Sequence, residues 1–131
     1  MNGYNLNPAY DSDSPTGVYI PVDVDDCIRE LNRILPAALI EKVRKSEEHD
    51  LAKHQFGLGM WMRNCWGLWL EESRLRHYFI ELGIPEADDM SGIILACYWD
   101  SLNGKPIDVP RQIVYNKINR NQIQGGPNRN N

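Results

Sequence analysis

FGLGMWMRNCWGLW, residues 56–69, decides how this chain folds. It holds three of the four tryptophans, three of the ten glycines and a single charge, Arg63. A tryptophan covers a large apolar area and wants a partner for its indole N–H once buried. Three of them, at Trp61, Trp66 and Trp69, mean a densely packed centre or an adhesive surface. Leu51, Leu58, Trp61, Met62 and Cys65 fall on one face of a helix over about 50–64. Phe56 and Met60 widen that face, so the helix belongs at the centre of the fold. Gly57 and Gly59 each cost about 1 kcal/mol of helix propensity, which close approach of a second helix would offset. Arg63 and Asn64 must find hydrogen bonds at helix ends or on an acidic partner, because an unpaired buried guanidinium is very costly. From Asn64 to Glu72 the pattern lapses into a turn, with Gly67 supplying backbone freedom.

The flanks read as further helices. Upstream, Asp23 is a good N-cap, and Val24, Cys27, Ile28, Leu31, Ile34 and Leu35 recur at helical spacing. Pro36 breaks that run and opens a second helix to about Lys45, with SEEHD (46–50) as connector. Downstream, Ser73 caps a helix that stops at Gly83. Asp88 caps one over 89–102 that is apolar nearly all round, and Asp108 with Pro110 starts a last one. Gly92 joins Gly57 and Gly59 as a point of close helix contact. Tyr19–Val24 is the one short extended candidate. The fold expected is an all-α, compact single-domain bundle of about five or six helices over 22–120. Residues 1–21 read as an extended or disordered arm and 121–131 as a disordered tail.

The chain of 131 residues has a net charge of −4. Residues 1–26 carry Asp11, Asp13, Asp23, Asp25 and Asp26 with no Lys or Arg. Residues 104–131 carry Lys105, Arg111, Lys117, Arg120 and Arg129 against Asp108 alone. An acidic chain repels phosphates, which argues against nucleic acid and for a basic partner. Cys27, Cys65 and Cys97 form no CxxC pair and sit in apolar helical patterns, as reduced thiols in a cytoplasmic protein do. The start, MNGYNLNPAYDSDSP, lacks the features of a secretory leader. No apolar run approaches the ~20 residues that span a bilayer, so no membrane partner is expected.

Catalytic patterns are weak. His49 and His54 are five apart, where two metal ligands on one helical face need three or four. No GxSxG or cysteine-protease signature appears, although Arg63 could lower the pKa of Cys65. GLG at 57–59 follows no strand and lacks the phosphate-loop lysine. His77 with Ser73, Arg74 and Arg76 could polarise a substrate, or simply form a solvated helix face. HYFIELGIPEADDMSGIIL (77–95) has helix-turn-helix order, but acidic residues open its supposed recognition helix. No catalytic, cofactor-binding or metal-binding residue is therefore assigned. Acidic clusters at helix starts and connectors are ordinary caps one by one; together they form a surface for a basic partner. The candidate partner-binding residues are Asp23, Asp25, Asp26, Glu47, Glu48, Asp50, Trp69, Glu71 and Glu72. Tyr98 and Trp99 are further aromatic anchors.

The blocks GLGMWMRNCWGLW, SRLRHYFIELGI, DDMSGIIL and YW followed by LNGKPID resemble a family of small bacterial proteins of unassigned function over about 22–109. Those proteins in turn resemble immunity proteins encoded beside polymorphic toxins. The resemblance implies a role class only: a non-enzymatic protein that binds and neutralises a cognate, basic toxin domain. In that family a second Asn stands at the place of Cys65, and a short Gly-containing turn at Leu70-Glu71-Glu72, which makes this turn a place where partner specificity varies. Two other classes fit the residues: an interaction module or homodimer using the tryptophan block, and a small hydrolase acting through His77 and Arg74.

Overall fold

Asp23 opens the first helix, α1 (Val24–Ile34), by accepting the Asp26 N–H on its carboxylate at 2.9 Å. The computed structural model describes residues 11, 12 and 14–129, with backbone alone beyond residue 121. Every regular element in that range is helical. Pro36 holds the chain extended at Leu35 and Pro36 itself, and α2 (Ala37–Lys45) follows on the surface with Val43 as its buried contact.

The single helix expected over 50–64 is two. A 3₁₀ helix, η1 (Glu48–Gln55), is separated from α3 (Leu58–Cys65) at Gly57, whose φ of −103° and ψ of −84° are not helical. The break has a use. A carbonyl at the end of a helix lacks a helical partner, and the Gln55 carbonyl accepts instead from the Arg63 guanidinium at 3.0 Å. After the turn at 66–73, α4 (Arg74–Glu81) is capped by the Ser73 hydroxyl, which accepts the Arg76 N–H. Gly83 ends it at φ +85°, and the N–H groups of Gly83 and Ile84 return to the Ile80 and Phe79 carbonyls. Those left-handed angles suit glycine.

The centre is α5 (Ala87–Leu102), which buries Met90, Ile93, Ile94, Leu95, Cys97, Tyr98 and Trp99. Its N-cap is Glu86, with Asp88 and Asp89 in the first turn rather than at the cap. All the other helices pack on it. The last helix, α6 (Val109–Arg129), begins where Asp108 accepts the Arg111 N–H, and runs through most of the stretch read as a tail. Residues 130 and 131 lie outside the described residues.

The glycines expected to bring helix backbones together do not. A Cβ on Gly57 would meet open space, one on Gly92 only the Gln55 side chain, and one on Gly59 the side chains of Gln55 and Arg63. Tyr98 and Trp99 also depart from expectation, since both are buried. The Tyr98 hydroxyl donates to Asn32, and the Trp99 indole to the Ser46 carbonyl.

The segment leading into α1 is not helical, yet it is integral. Val18 and Ile20 lie in the core. Asp11 accepts from the Ile20 N–H and the Arg74 guanidinium, and Arg74 Nε donates to the Ile20 carbonyl. Asp26 completes the anchor: 8% exposed, it accepts the Tyr19 hydroxyl at 2.6 Å and the Val22 N–H at 3.0 Å. Residues 1–10 and 13 of the expected arm lie outside the described residues.

This anchor makes stability acid-sensitive. Burial raises the Asp26 pKa, but hydrogen bonds from Tyr19, Val22 and Arg29 outweigh it and hold the carboxyl below its ordinary 3.8. A depressed carboxylate stabilises the fold above its unfolded pKa and loses that contribution as pH falls through the folded one. Asp26→Asn should therefore cost about 2 kcal/mol in urea unfolding at neutral pH. It should also make stability less steep below pH 3.8. A variant with wild-type stability at both pH values would show that the anchor carries nothing.

Candidate functional site

Arg63 projects inward from α3 and is 5% exposed. Its Nη1 donates to Gln55 Oε1 at 2.9 Å and to Ser91 Oγ at 2.8 Å, and Nε lies 3.4 Å from an Asp88 carboxylate oxygen. Gln55 in turn donates through Nε2 to the Asp88 carbonyl at 2.9 Å. One guanidinium thus ties η1, α3 and α5 together. Gly59 is the space this network occupies: a Cβ there would sit 2.1 Å from Gln55 Oε1 and 3.0 Å from Arg63 Nη1.

The outer face of the same arginine supports Trp69. Its guanidinium carbon is 5.9 Å from the Trp69 ring centroid, and Trp69 is 52% exposed. The turn carrying that ring is fixed from several sides. Gly67 takes φ +64°, the Leu68 N–H donates to the Arg63 carbonyl, and the Leu70 N–H to the Gly67 carbonyl. Ser73 Oγ donates to the Trp66 carbonyl at 2.8 Å, and Arg76 to the Leu68 carbonyl at 2.7 Å. Beneath it Trp66 and Leu68 are fully buried, and Trp66 meets Trp61 edge to face at 5.6 Å. What is left outside is Trp69, Leu70, Glu71 and Glu72, all exposed.

The nine candidate partner residues therefore separate. Trp69, Glu71 and Glu72 form one exposed turn. Glu47, Glu48 and Asp50 are exposed at the start of η1, and Asp25 is exposed on α1. Asp23 is half-buried and spent on the cap, while Asp26 faces inward and is spent on Tyr19 and Val22. Trp61 and Trp66 are interior, so the tryptophan block offers one ring to the outside.

The catalytic candidates do not converge. Arg74 is engaged by Asp11 and the Ile20 carbonyl, while His77 is exposed on α4. His54 is buried with its ring 2.9 Å from Ser46 Oγ, and burial lowers its pKa. Burial pushes the Cys65 thiol up, the reverse of an Arg63-activated nucleophile, and Cys97 up to about 12. Among the described residues, no three His, Cys, Asp or Glu side chains gather to hold a metal, and no helix is long and apolar enough to cross a membrane.

A second feature was not singled out in the sequence. A cleft of about 530 Å³ opens between η1, α5 and α6, with Leu51, Ile93 and Leu95 among its apolar lining. Gln112, Asn116 and Asn119 line it from α6. Their four- and three-residue spacing places them on one helical face, a signal that the sequence does carry but that reads equally as a solvated stripe.

A family model described as a domain of unknown function (DUF6794) matches residues 20–102. The match spans α1 to α5, hence the Arg63 network and the Trp69 turn. No curated protein and no solved structure matches the chain.

Gly59→Ala is a sharp probe of the network. It improves helix propensity by up to about 1 kcal/mol, yet displaces a carboxamide that satisfies a buried cation. We expect a net loss of about 2 kcal/mol in chemical denaturation, with Arg63→Met similar or worse. Equal or greater stability for Gly59→Ala would mean that Gln55 moves freely.

Proposed function

The chain belongs to the DUF6794 family, a domain of unknown function, and we propose that it is a non-enzymatic binding protein that neutralises a cognate, basic toxin domain by occluding it. One observation carries the reading: a half-exposed tryptophan set over an internal arginine, on a hydrogen-bonded turn that also carries two exposed glutamates. Tryptophan is among the commonest residues to dominate binding energy at protein interfaces. Ordering a loop on association is costly, and here the turn is ordered beforehand by Gly67, Ser73 and Arg76, so that cost is already met. Glu71 and Glu72 beside the ring, and Asp25, Glu47, Glu48 and Asp50 farther along the surface, favour a basic protein partner and speed its approach. The toxin role comes from the resemblance of four sequence blocks to small bacterial proteins that in turn resemble immunity proteins; the geometry supports the binding role. Nuclease domains are basic enough to fit.

The test uses the product of the gene adjacent to the one for this protein, as the candidate toxin. Co-expression should protect cells from it, and the purified pair should form a complex. Trp69→Ala should weaken the complex about 30-fold, chiefly through faster dissociation. The same change should cost only about 1 kcal/mol of stability, the worth of an exposed ring–guanidinium contact. Glu71→Lys with Glu72→Lys should slow association, most at low salt. Absence of both complex and protection removes the proposal, and an unchanged Trp69→Ala affinity moves the interface elsewhere.

A further inference from the structure

Phe56 is 86% exposed, more than any other large apolar side chain among the described residues. Helical spacing put it on the inner face of one helix over 50–64; the structure turns it outward. Arg63 supplies the reason. η1 ends at Gln55, whose carbonyl accepts from Arg63 Nη2 at 3.0 Å. Phe56 follows as the C-cap, just before Gly57 leaves the helical path. A Cβ on Gly57 would meet nothing within 4 Å, so the surface beside Phe56 is open.

Phe56 is not isolated. Met60, also exposed, has its sulfur 4.0 Å from the same Arg63 Nη2. Trp69 lies 5.9 Å from the guanidinium carbon, and Leu70 beside it is exposed. The Gln55–Phe56 peptide, Met60 and Trp69 thus share one buried neighbour. Apolar side chains scattered singly over a surface need no explanation, whereas a group of them rimmed by polar residues marks an interaction site. The rim here has one sign. Over residues 56–72 the charges are Arg63, Glu71 and Glu72. Arg63 is buried, which leaves the two glutamates outside. Asp88, whose carboxylate lies 3.4 Å from Arg63 Nε, is exposed as well. Such a border repels anions and attracts cations. We propose that Phe56 is a second anchor of the partner-binding surface, which runs from Trp69 and Leu70 over Met60 to Phe56. Its occupant is an apolar projection of the partner protein flanked by Lys or Arg side chains. The proposal rests on the binding role above and extends its surface beyond the Trp69 turn.

A randomised peptide library displayed on phage, selected on the full chain, tests this without the partner. Selected peptides should carry an aromatic or aliphatic residue with Lys or Arg close by. They should bind about tenfold less well to Phe56→Ser and to Trp69→Ala. Val114→Ser, which changes an equally accessible apolar residue on α6, should leave binding unchanged. Glu71→Lys with Glu72→Lys should remove the preference for basic residues. Phe56→Ser should keep its thermal midpoint within about 2 °C of wild type, and a larger fall would mean that Phe56 packs inside. The inference is overturned by that fall, by an empty selection, or by peptides indifferent to Phe56→Ser. A wild-type dimer in sedimentation that Phe56→Ser dissociates also overturns it, since a second copy would then cover the surface. The two readings separate cleanly. If the adjacent gene product binds through Trp69 while nothing depends on Phe56, the extension falls and the binding role stands. If that product does not bind while the peptides depend on Phe56 and Trp69, the toxin reading falls and the surface stands.

Discussion

A guanidinium buried inside a protein needs partners, and Arg63 imposes that demand on this fold; its terminal nitrogens are hydrogen-bonded, while Nε has an Asp88 carboxylate oxygen 3.4 Å away and no hydrogen bond. A charge out of water costs several kcal/mol unless hydrogen bonds replace its hydration. The chain meets the cost by ending η1 at Gln55, so that a carbonyl and a carboxamide both reach Arg63, and by setting Ser91 and Asp88 of α5 against it. The break at Gly57, the missing side chain at Gly59 and the docking of η1 on α5 follow from the same requirement.

Both outward-facing features share that network. The Trp69 ring lies 5.9 Å from the Arg63 guanidinium carbon, and Gln55, which accepts from Arg63, also lines the cleft against α6. A partner touching the turn would meet a surface braced by that set of hydrogen bonds. Such bracing reduces the ordering that association requires, in keeping with the proposed binding role.

Acidic residues look alike in a sequence but divide here by the company they keep. Asp23 and Asp108 cap helices, Asp26 and Asp11 hold the segment before α1 in place, and Asp100 and Asp89 orient carboxamides. Asp25, Glu47, Glu48, Asp50, Glu71 and Glu72 remain at the surface. The second group alone is left exposed, and no local pattern separates it from the first.

Helix spacing, caps and breakers determined the all-α class. They also placed the ends of α1, α2 and α4, since apolar recurrence, Asp23, Pro36, Ser73 and Gly83 act through bonds within a few residues. The same local logic marked the turn around Gly67; of the three aromatics expected outside, Trp69 alone is exposed. The division of the central helix at Gly57, the burial of Tyr98 and Trp99, the inward role of Asp26 and the cleft were decided only in three dimensions. Each depends on groups distant in sequence, such as Arg63 with Ser91, Tyr98 with Asn32 and η1 opposite α6. Periodicity says which face of a helix is apolar; it does not say which polar group will be closed in beside it, and here that group is a charge on α3 whose partners come from η1 and α5.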